Sequence, residues 1–201
     1  DHGENLGELW VYGDHQTADH VTCRVPMIVR WPGVTDARAG QSDDRLLYTL
    51  DLAASTLEQS GIPVPSAWDG KSCAASLGSA DAPAHRESLV LSQMAWCVQR
   101  SARWENYICI QTFHDALRDY PEFMVFDVEA DPHEQTVLGP SRPDLVSKGR
   151  LLLSDWHREM MNTATHRQDP LDTVMSEGGS LHSITTQKEF DAYLERLRAT
   201  D

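Results

Sequence analysis

Apolar positions along the chain change their spacing from one region to the next, and each spacing predicts a different element. Val25 to Trp31 (VPMIVRW) is a short, nearly continuous apolar run closed by Pro32-Gly33. A run this short, with β-branched residues and turn punctuation, predicts a buried strand of a parallel sheet rather than a helix. After a polar linker from Val34 to Asp44 the spacing turns helical. Leu46, Leu47, Leu50, Ala53, Ala54 and Leu57 mark one face of a predicted helix over Arg45 to Ser60. Gly61 is placed to cap it, and Pro63 and Pro65 prevent its return. Residues 62–87 are rich in Pro, Ser, Ala and Asp and read as a long irregular connection, a candidate domain boundary.

From Glu87 onward the pattern shortens. SLVLSQ, AWCVQRSA, NYICIQTF and FMVFDV carry β-branched and aromatic residues and are separated by polar or Pro-containing turns. Such a succession predicts an antiparallel meander rather than βαβ units. Pro143 to Thr163 is the clearest helix, with Pro143 in its first turn and Leu145, Leu152, Leu153, Trp156 and Met160 on one broad face. Laid on the meander, it would complete a small α+β subdomain. Ala164 to Ser183 reads as irregular, with a loop at Gly178-Gly179. Thr186 and Glu189 form a capping box for a last helix, Gln187 to Arg198, with Phe190, Tyr193, Leu194 and Leu197 facing inward.

Charge narrows the range of partners. With 17 Lys and Arg against 31 Asp and Glu the formal net charge is −14, and no basic stripe offsets it. Nucleic acid and anionic membrane are therefore disfavoured as partners. No apolar run approaches the ~18 residues of a membrane span, and neither an initiator methionine nor a signal peptide is visible. Cys23, Cys73, Cys97 and Cys109 lack CxxC spacing and read as buried free thiols, a weak lean toward a reducing, cytoplasmic setting that leaves localisation undecided.

Candidate chemistry concentrates at the start. Asp1 to Gly33 holds five carboxylates, three histidines and four glycines. Asp1 and His2, followed by Gly3, pair a hard and a borderline ligand on a turn, a way of holding a cation at a strand end. An Asp-His pair is equally an ordinary solvated turn. Asp14, His15, Asp19 and His20 make a second polar cluster.

Three blocks, in order, change the balance. DHGENLGE followed by RVPMIVRWPG, then LDLAASTLEQSGIPVPSAWDGKS, then FMVFDVEADPHEQTVL together resemble the carboxy-terminal part of a sulfatase of the alkaline phosphatase superfamily. The resemblance implies an α/β fold: residues 1–86 as the carboxy-terminal portion of a sandwich-like catalytic domain, and 87–201 as an α+β subdomain with a four-stranded antiparallel sheet and packed helix. It also implies that the chain is the later part of a longer protein.

The same resemblance implies site residues. Sulfatases use a formylglycine nucleophile made from Cys or Ser in a C/S-x-P/A-x-R motif, above a calcium ion. That motif is absent here: Arg24, Val25 and Pro26 follow Cys23, and Ala74, Ala75 and Ser76 follow Cys73. The nucleophile is therefore expected upstream. Asp1 and His2 match the family's late metal ligands, although nitrogen is a less natural donor than oxygen for Ca²⁺. Where many sulfatases carry a sulfate-binding Lys, eleven residues before the Pro of the VP motif, this chain has His15. His15 is thus the candidate catalytic and substrate-binding residue, able to hold sulfate or protonate the leaving alkoxide, with His20 as its alternative. His114 is a candidate substrate contact on the loop before FMVFDV, or else a plain loop residue. Asp127, Asp131, Pro132 and Glu134 match a family signature but read as strand-end and turn structure. The expected substrate is a sulfated small molecule or carbohydrate. Two other readings stay open: a phosphodiesterase or phosphonate monoester hydrolase of the same superfamily, which would differ in its nucleophile motif and metals, and a non-catalytic stand-alone domain, which would show no turnover.

Overall fold

The computed structural model describes residues 1–177 and 186–200. The chain opens on a short antiparallel hairpin, β1 (Asn5–Leu6) and β2 (Tyr12–Asp14), with Asn5 opposite Asp14 and Leu6 opposite Tyr12. A single helical turn, α1 (His20–Cys23), follows; the Asp19 carboxylate accepts from Thr22 N at 3.0 Å and caps it. Two compact units then form: Pro26–Leu89 is one, and Asp1–Val25 joins the chain from Val90 onward in the other.

The Pro26–Leu89 unit contains α2 (Thr49–Gln59) and α3 (Ala74–Gly78). Its organising residue is Asp51, fully buried on α2, which accepts from Tyr48 N, Lys71 N and the Arg86 guanidinium. Burial alone would raise this carboxyl, but Arg86 and the two backbone N–H groups outweigh it and hold Asp51 below its ordinary range. The predicted helix over Arg45–Ser60 is therefore present but starts later, because Tyr48 N bonds to Asp51 and fixes the first turn there. The irregular connection over 62–87 is broken by α3. The predicted strand over Val25–Trp31 does not form: it belongs to neither sheet, and Ile28 is 95% exposed. An apolar run becomes a strand only where neighbours satisfy its backbone N–H and C=O groups, and among the described residues no strand lies beside it.

The other unit is built on a four-stranded antiparallel sheet, β3 (Ser88–Gln93), β4 (Val98–Trp104), β5 (Tyr107–His114) and β6 (Phe123–Asp127), in sequential order. Both faces are apolar, which is why these strands read as continuous rather than alternating runs. On one face Ala102, Trp104, Cys109 and Val125 pack with Leu145 and Leu153 of α4 (Pro143–Thr163). On the other, Ile108, Ile110, Met124 and Phe126 pack with Leu9 and Tyr120. Each of these large apolar side chains contributes roughly 1.5 to 3 kcal/mol by burial. Gly149 sets the approach of α4 to the sheet, since a Cβ there would lie 2.4 Å from Cys109 Cβ and 2.5 Å from its Sγ. All four cysteines are free thiols; Cys73, Cys97 and Cys109 are buried, and burial pushes the Cys97 and Cys109 thiols up to about 12.

The tail is more ordered than its composition predicts. Pro170–Glu177 forms α5, started by Asp169, whose carboxylate accepts from Leu171 N at 3.0 Å. The expected Gly178-Gly179 loop lies outside the described residues. The last helix, α6 (Gln187–Thr200), has the predicted capping box: Thr186 N donates to Glu189 at 2.9 Å and Glu189 N to Thr186 Oγ1 at 3.3 Å. Phe190, Tyr193 and Leu194 are half-buried, and the Leu197 side chain lies outside the described set. Among the described residues no helix is long and apolar enough to cross a membrane.

Candidate functional site

The hairpin brings two of the predicted residues, His2 and His15, together. Since Asn5 pairs with Asp14, Glu4 and His15 occupy the next rung, and His15 Nδ1 lies 3.1 Å from Glu4 Oε1. His2 stacks on His15, with ring centroids 3.7 Å apart and planes 25° from parallel. His2 Nδ1 is 3.5 Å from the same Glu4 oxygen, and His2 Nε2 is 3.7 Å from Asp1 Oδ1. Ligand atoms of His2, Glu4 and His15 all fall within 4.8 Å of one another. Asp14 closes the group, 3.6 Å from His15 Nδ1 and accepting from His15 N at 2.7 Å.

A buried polar network holds this exposed cluster in place. Asn5, Thr17 and Asp19 are fully buried: Asn5 Nδ2 and Thr17 Oγ1 both donate to Asp19 Oδ1, at 3.4 and 2.6 Å, and Thr22 Oγ1 donates to Asn5 Oδ1 at 3.1 Å. Buried polar groups satisfied in this way fix a single geometry. Gly3 donates its N–H to Thr22 O at 2.8 Å; a Cβ at that position would sit 1.9 Å from Val21 O, so only glycine permits this close approach. From the sheet, Gln93 Nε2 donates to His15 O at 2.6 Å and Gln99 Oε1 accepts from Ala18 N at 3.0 Å.

Two residues serve this frame from far along the chain. Glu134, 3% exposed, accepts from His20 N with both oxygens, at 3.3 and 3.1 Å. Burial, reinforced by the charge of Asp19, raises its carboxyl to about 8. The signature residues Asp127 and Asp131 do form the turn expected of them, accepting from Ala130 N and Thr136 N, whereas Glu134 reaches back to the site segment. His133 Nδ1 meets Glu8 Oε1 at 2.7 Å, and that bond lowers the Glu8 carboxyl. His20, the alternative to His15, is pushed down to about 4 by burial with Arg103 and Arg24 nearby, so it is neutral at physiological pH.

His114 stands at the end of β5, half-buried, with Nδ1 accepting from Ala116 N at 3.1 Å. The loop beyond it is tied by Asp115, which accepts from Leu117 N and Asp119 N, and holds Ala116, Leu117 and Asp119 in left-handed conformation. His114 is therefore built into a loop and is not a member of the His2–Glu4–His15 group. Glu4 and Gln93 are the site-forming residues that motif reading misses, while Glu134, read from its signature as turn structure, also holds the site segment. Of the two missed residues only Glu4 carried a local signal, through its place directly after Asp1-His2-Gly3.

The donor set suits a divalent cation. Asp1 and Glu4 offer hard carboxylate oxygens and His2 a borderline nitrogen, with His15 close enough to add a second.

The mixed α/β fold with a helix-backed four-stranded sheet is that of the carboxy-terminal part of a sulfatase. The chain belongs to the family described as N-sulphoglucosamine sulphohydrolase, C-terminal, whose model matches residues 7–146. It is 29% identical over 145 residues to an ulvan-active sulfatase of Formosa agariphila, a match covering 69% of this chain and 27% of that protein. It is 31% identical over 72 residues to an extracellular sulfatase SULF-1 homolog of Drosophila melanogaster, covering 36% of this chain and 6% of that one. The chain thus spans about a quarter of the first of these relatives and far less of the second. Among solved structures it superposes on a protein in complex with its substrate D-glucosamine-2-N,6-O-disulfate, with TM-score 0.68, 20% identity, and coverage of 82% of this chain and 35% of that one. A Bacteroides thetaiotaomicron structure gives TM-score 0.66 at 22% identity, covering 84% and 38%. These two likenesses carry the fold.

Proposed function

We propose that in the whole protein this chain forms one side of a sulfuric ester hydrolase site, residues 1–86 completing the catalytic α/β domain and 87–201 forming the carboxy-terminal subdomain. The observation that carries the proposal is the convergence of His2, Glu4 and His15, with Asp1 3.7 Å from His2, in a chain of this family. With no C/S-x-P/A-x-R motif in this sequence, a formylglycine nucleophile would come from outside this chain.

Asp1 and His2, with Glu4 beside them, would hold the cation, taken here as Ca²⁺. When bound, it offsets negative charge gathering on the sulfuryl oxygens as the ester bond breaks. Glu4 orients the His15 ring through Nδ1, leaving Nε2 as the nitrogen for an ester oxygen. There His15 hydrogen-bonds the sulfate or gives its proton to the leaving alkoxide. His114 contributes a substrate contact from its ordered loop. The substrate is a sulfated small molecule or carbohydrate; the formal charge of −14 argues against nucleic acid.

The test is hydrolysis of an aryl sulfate and an aryl phosphate by the full-length protein, before and after chelation. Sulfatase activity that chelation abolishes and Ca²⁺ restores is the expected result. One observation favours a second reading, a phosphodiesterase or phosphonate monoester hydrolase: two imidazoles in the donor set suit a transition metal better than calcium. Phosphate-ester turnover restored by Zn²⁺ or Mn²⁺, without sulfatase activity, would select it.

A further inference from the structure

A cleft that shares no residue with the histidine cluster lies between α4 and the sheet. Arg100, Gln111 and Phe123 stand in one row across β4, β5 and β6, since Arg100 pairs with Gln111 and Gln111 with Phe123. Arg150, Ser154 and His157 are spaced four and three residues apart along α4 and line the same cleft, whose volume is about 290 Å³. Arg100 is fixed: its guanidinium meets the Asp169 carboxylate through two bonds of 2.8 and 2.9 Å and lies 4.9 Å from the Trp156 ring centre. His157 Nε2 shares that carboxylate at 3.1 Å. Arg150 differs. Its guanidinium lies over Phe123, 5.0 Å from the ring centre, and makes no ion pair among the described residues. The Gln111 amide and Ser154 hydroxyl likewise have no hydrogen-bond partner there. With Asp169 neutralising Arg100, the Arg150 charge is left over, in a chain whose net charge is −14.

We propose that this cleft is an accessory subsite for an anionic sugar residue, one sulfated ring of a saccharide whose reacting ester lies elsewhere. The chemistry of each wall suits that ligand. A guanidinium with an amide and a hydroxyl beside it presents donors to a sulfate, which is acceptor-only. Phe113, 41% exposed, gives apolar surface for a sugar face. The volume is near the lower end of small-molecule pockets, roughly 300 Å³, which suits one ring rather than a chain. The inference rests on the sulfated-substrate reading but is separable from it, because binding here requires no turnover.

The test uses a photo-crosslinking derivative of 6-O-sulfated glucosamine on the full-length protein, with labelled peptides located by mass spectrometry. Labelling is expected on peptides holding Gln111–Phe123 and Arg150–His157. Arg150→Ala should reduce it tenfold or more, Gln111→Ala severalfold, and His15→Ala not at all. Both cleft variants should melt at the wild-type temperature, since Arg150 is exposed and Gln111 half-buried. Labelling absent from these peptides, or an Arg150→Ala signal within twofold of wild type, overturns the proposal. So does equal labelling by the unsulfated sugar, or competition by inorganic sulfate or an acidic peptide as effective as that by the sulfated sugar. Loss of sulfatase activity with cleft labelling intact would fault the hydrolase reading alone.

Discussion

Glu134→Gln is the substitution whose effect follows most directly from the structure. The Glu134 carboxyl is 3% exposed and raised from 4.5 to about 8 by burial and by the charge of Asp19. An unfolded chain loses this proton near 4.5, while the folded protein keeps it until about 8. Across that window the folded state binds one proton more than the unfolded state, so stability falls as pH rises, by about 1.4 kcal/mol per pH unit. The accumulated loss at pH 7 is about 3 kcal/mol relative to a neutral side chain. Glutamine keeps an oxygen to accept from His20 N and carries no charge at any pH. Urea unfolding of both proteins between pH 5 and pH 8 reads the difference. The expected result is a gap in favour of Glu134→Gln that is small at pH 5 and widens steadily toward pH 8. Parallel curves, or a variant that loses ground as pH rises, would refute an uncharged Glu134 in the folded protein.

Asp169→Asn should destabilise by about 3 to 5 kcal/mol, because removing one partner of a buried pair leaves the Arg100 charge uncompensated. Arg100 holds the Asp169 carboxyl below its ordinary range, so the wild-type contribution is present above the unfolded pKa and lost as pH falls through the folded one. Denaturant midpoints at acid and neutral pH should therefore converge for wild type and variant on acidification. Gly149→Ala forces a Cβ against Cys109 and should cost about 1 to 3 kcal/mol through displacement of α4, seen as a lower melting temperature.

The meander and α4 were legible in the sequence because strong local signals agreed with the packing. Pro143 suits a first turn, and the apolar face it opens is the one that meets Trp104 and Cys109. Strand ends moved by a few residues, since hydrogen-bond register and not composition decides where pairing stops. Val25–Trp31 shows the limit: its residues favour a strand, but composition does not say whether neighbours exist. α5 is short and depends on Asp169, a cap that is also bound to Arg100 on β4, so its support is tertiary. Within the site, Asp1, His2 and His15 stood out through a motif, and their convergence could have been anticipated only from the hairpin register. Glu134 stood in a signature but was read as a turn residue, because its bond to His20, 114 residues away along the chain, has no local signal.

The most direct measurement is kcat/KM for an aryl sulfate by the full-length enzyme carrying His15→Ala or Asp1→Asn. One charge-assisted contact is worth about 1.5 to 3 kcal/mol, so each substitution should lower kcat/KM by roughly 10- to 150-fold. His15→Lys, which restores a cation at that position, should recover part of the loss. Values within twofold of wild type for both His15→Ala and Asp1→Asn would contradict the account and reduce the cluster to a polar turn.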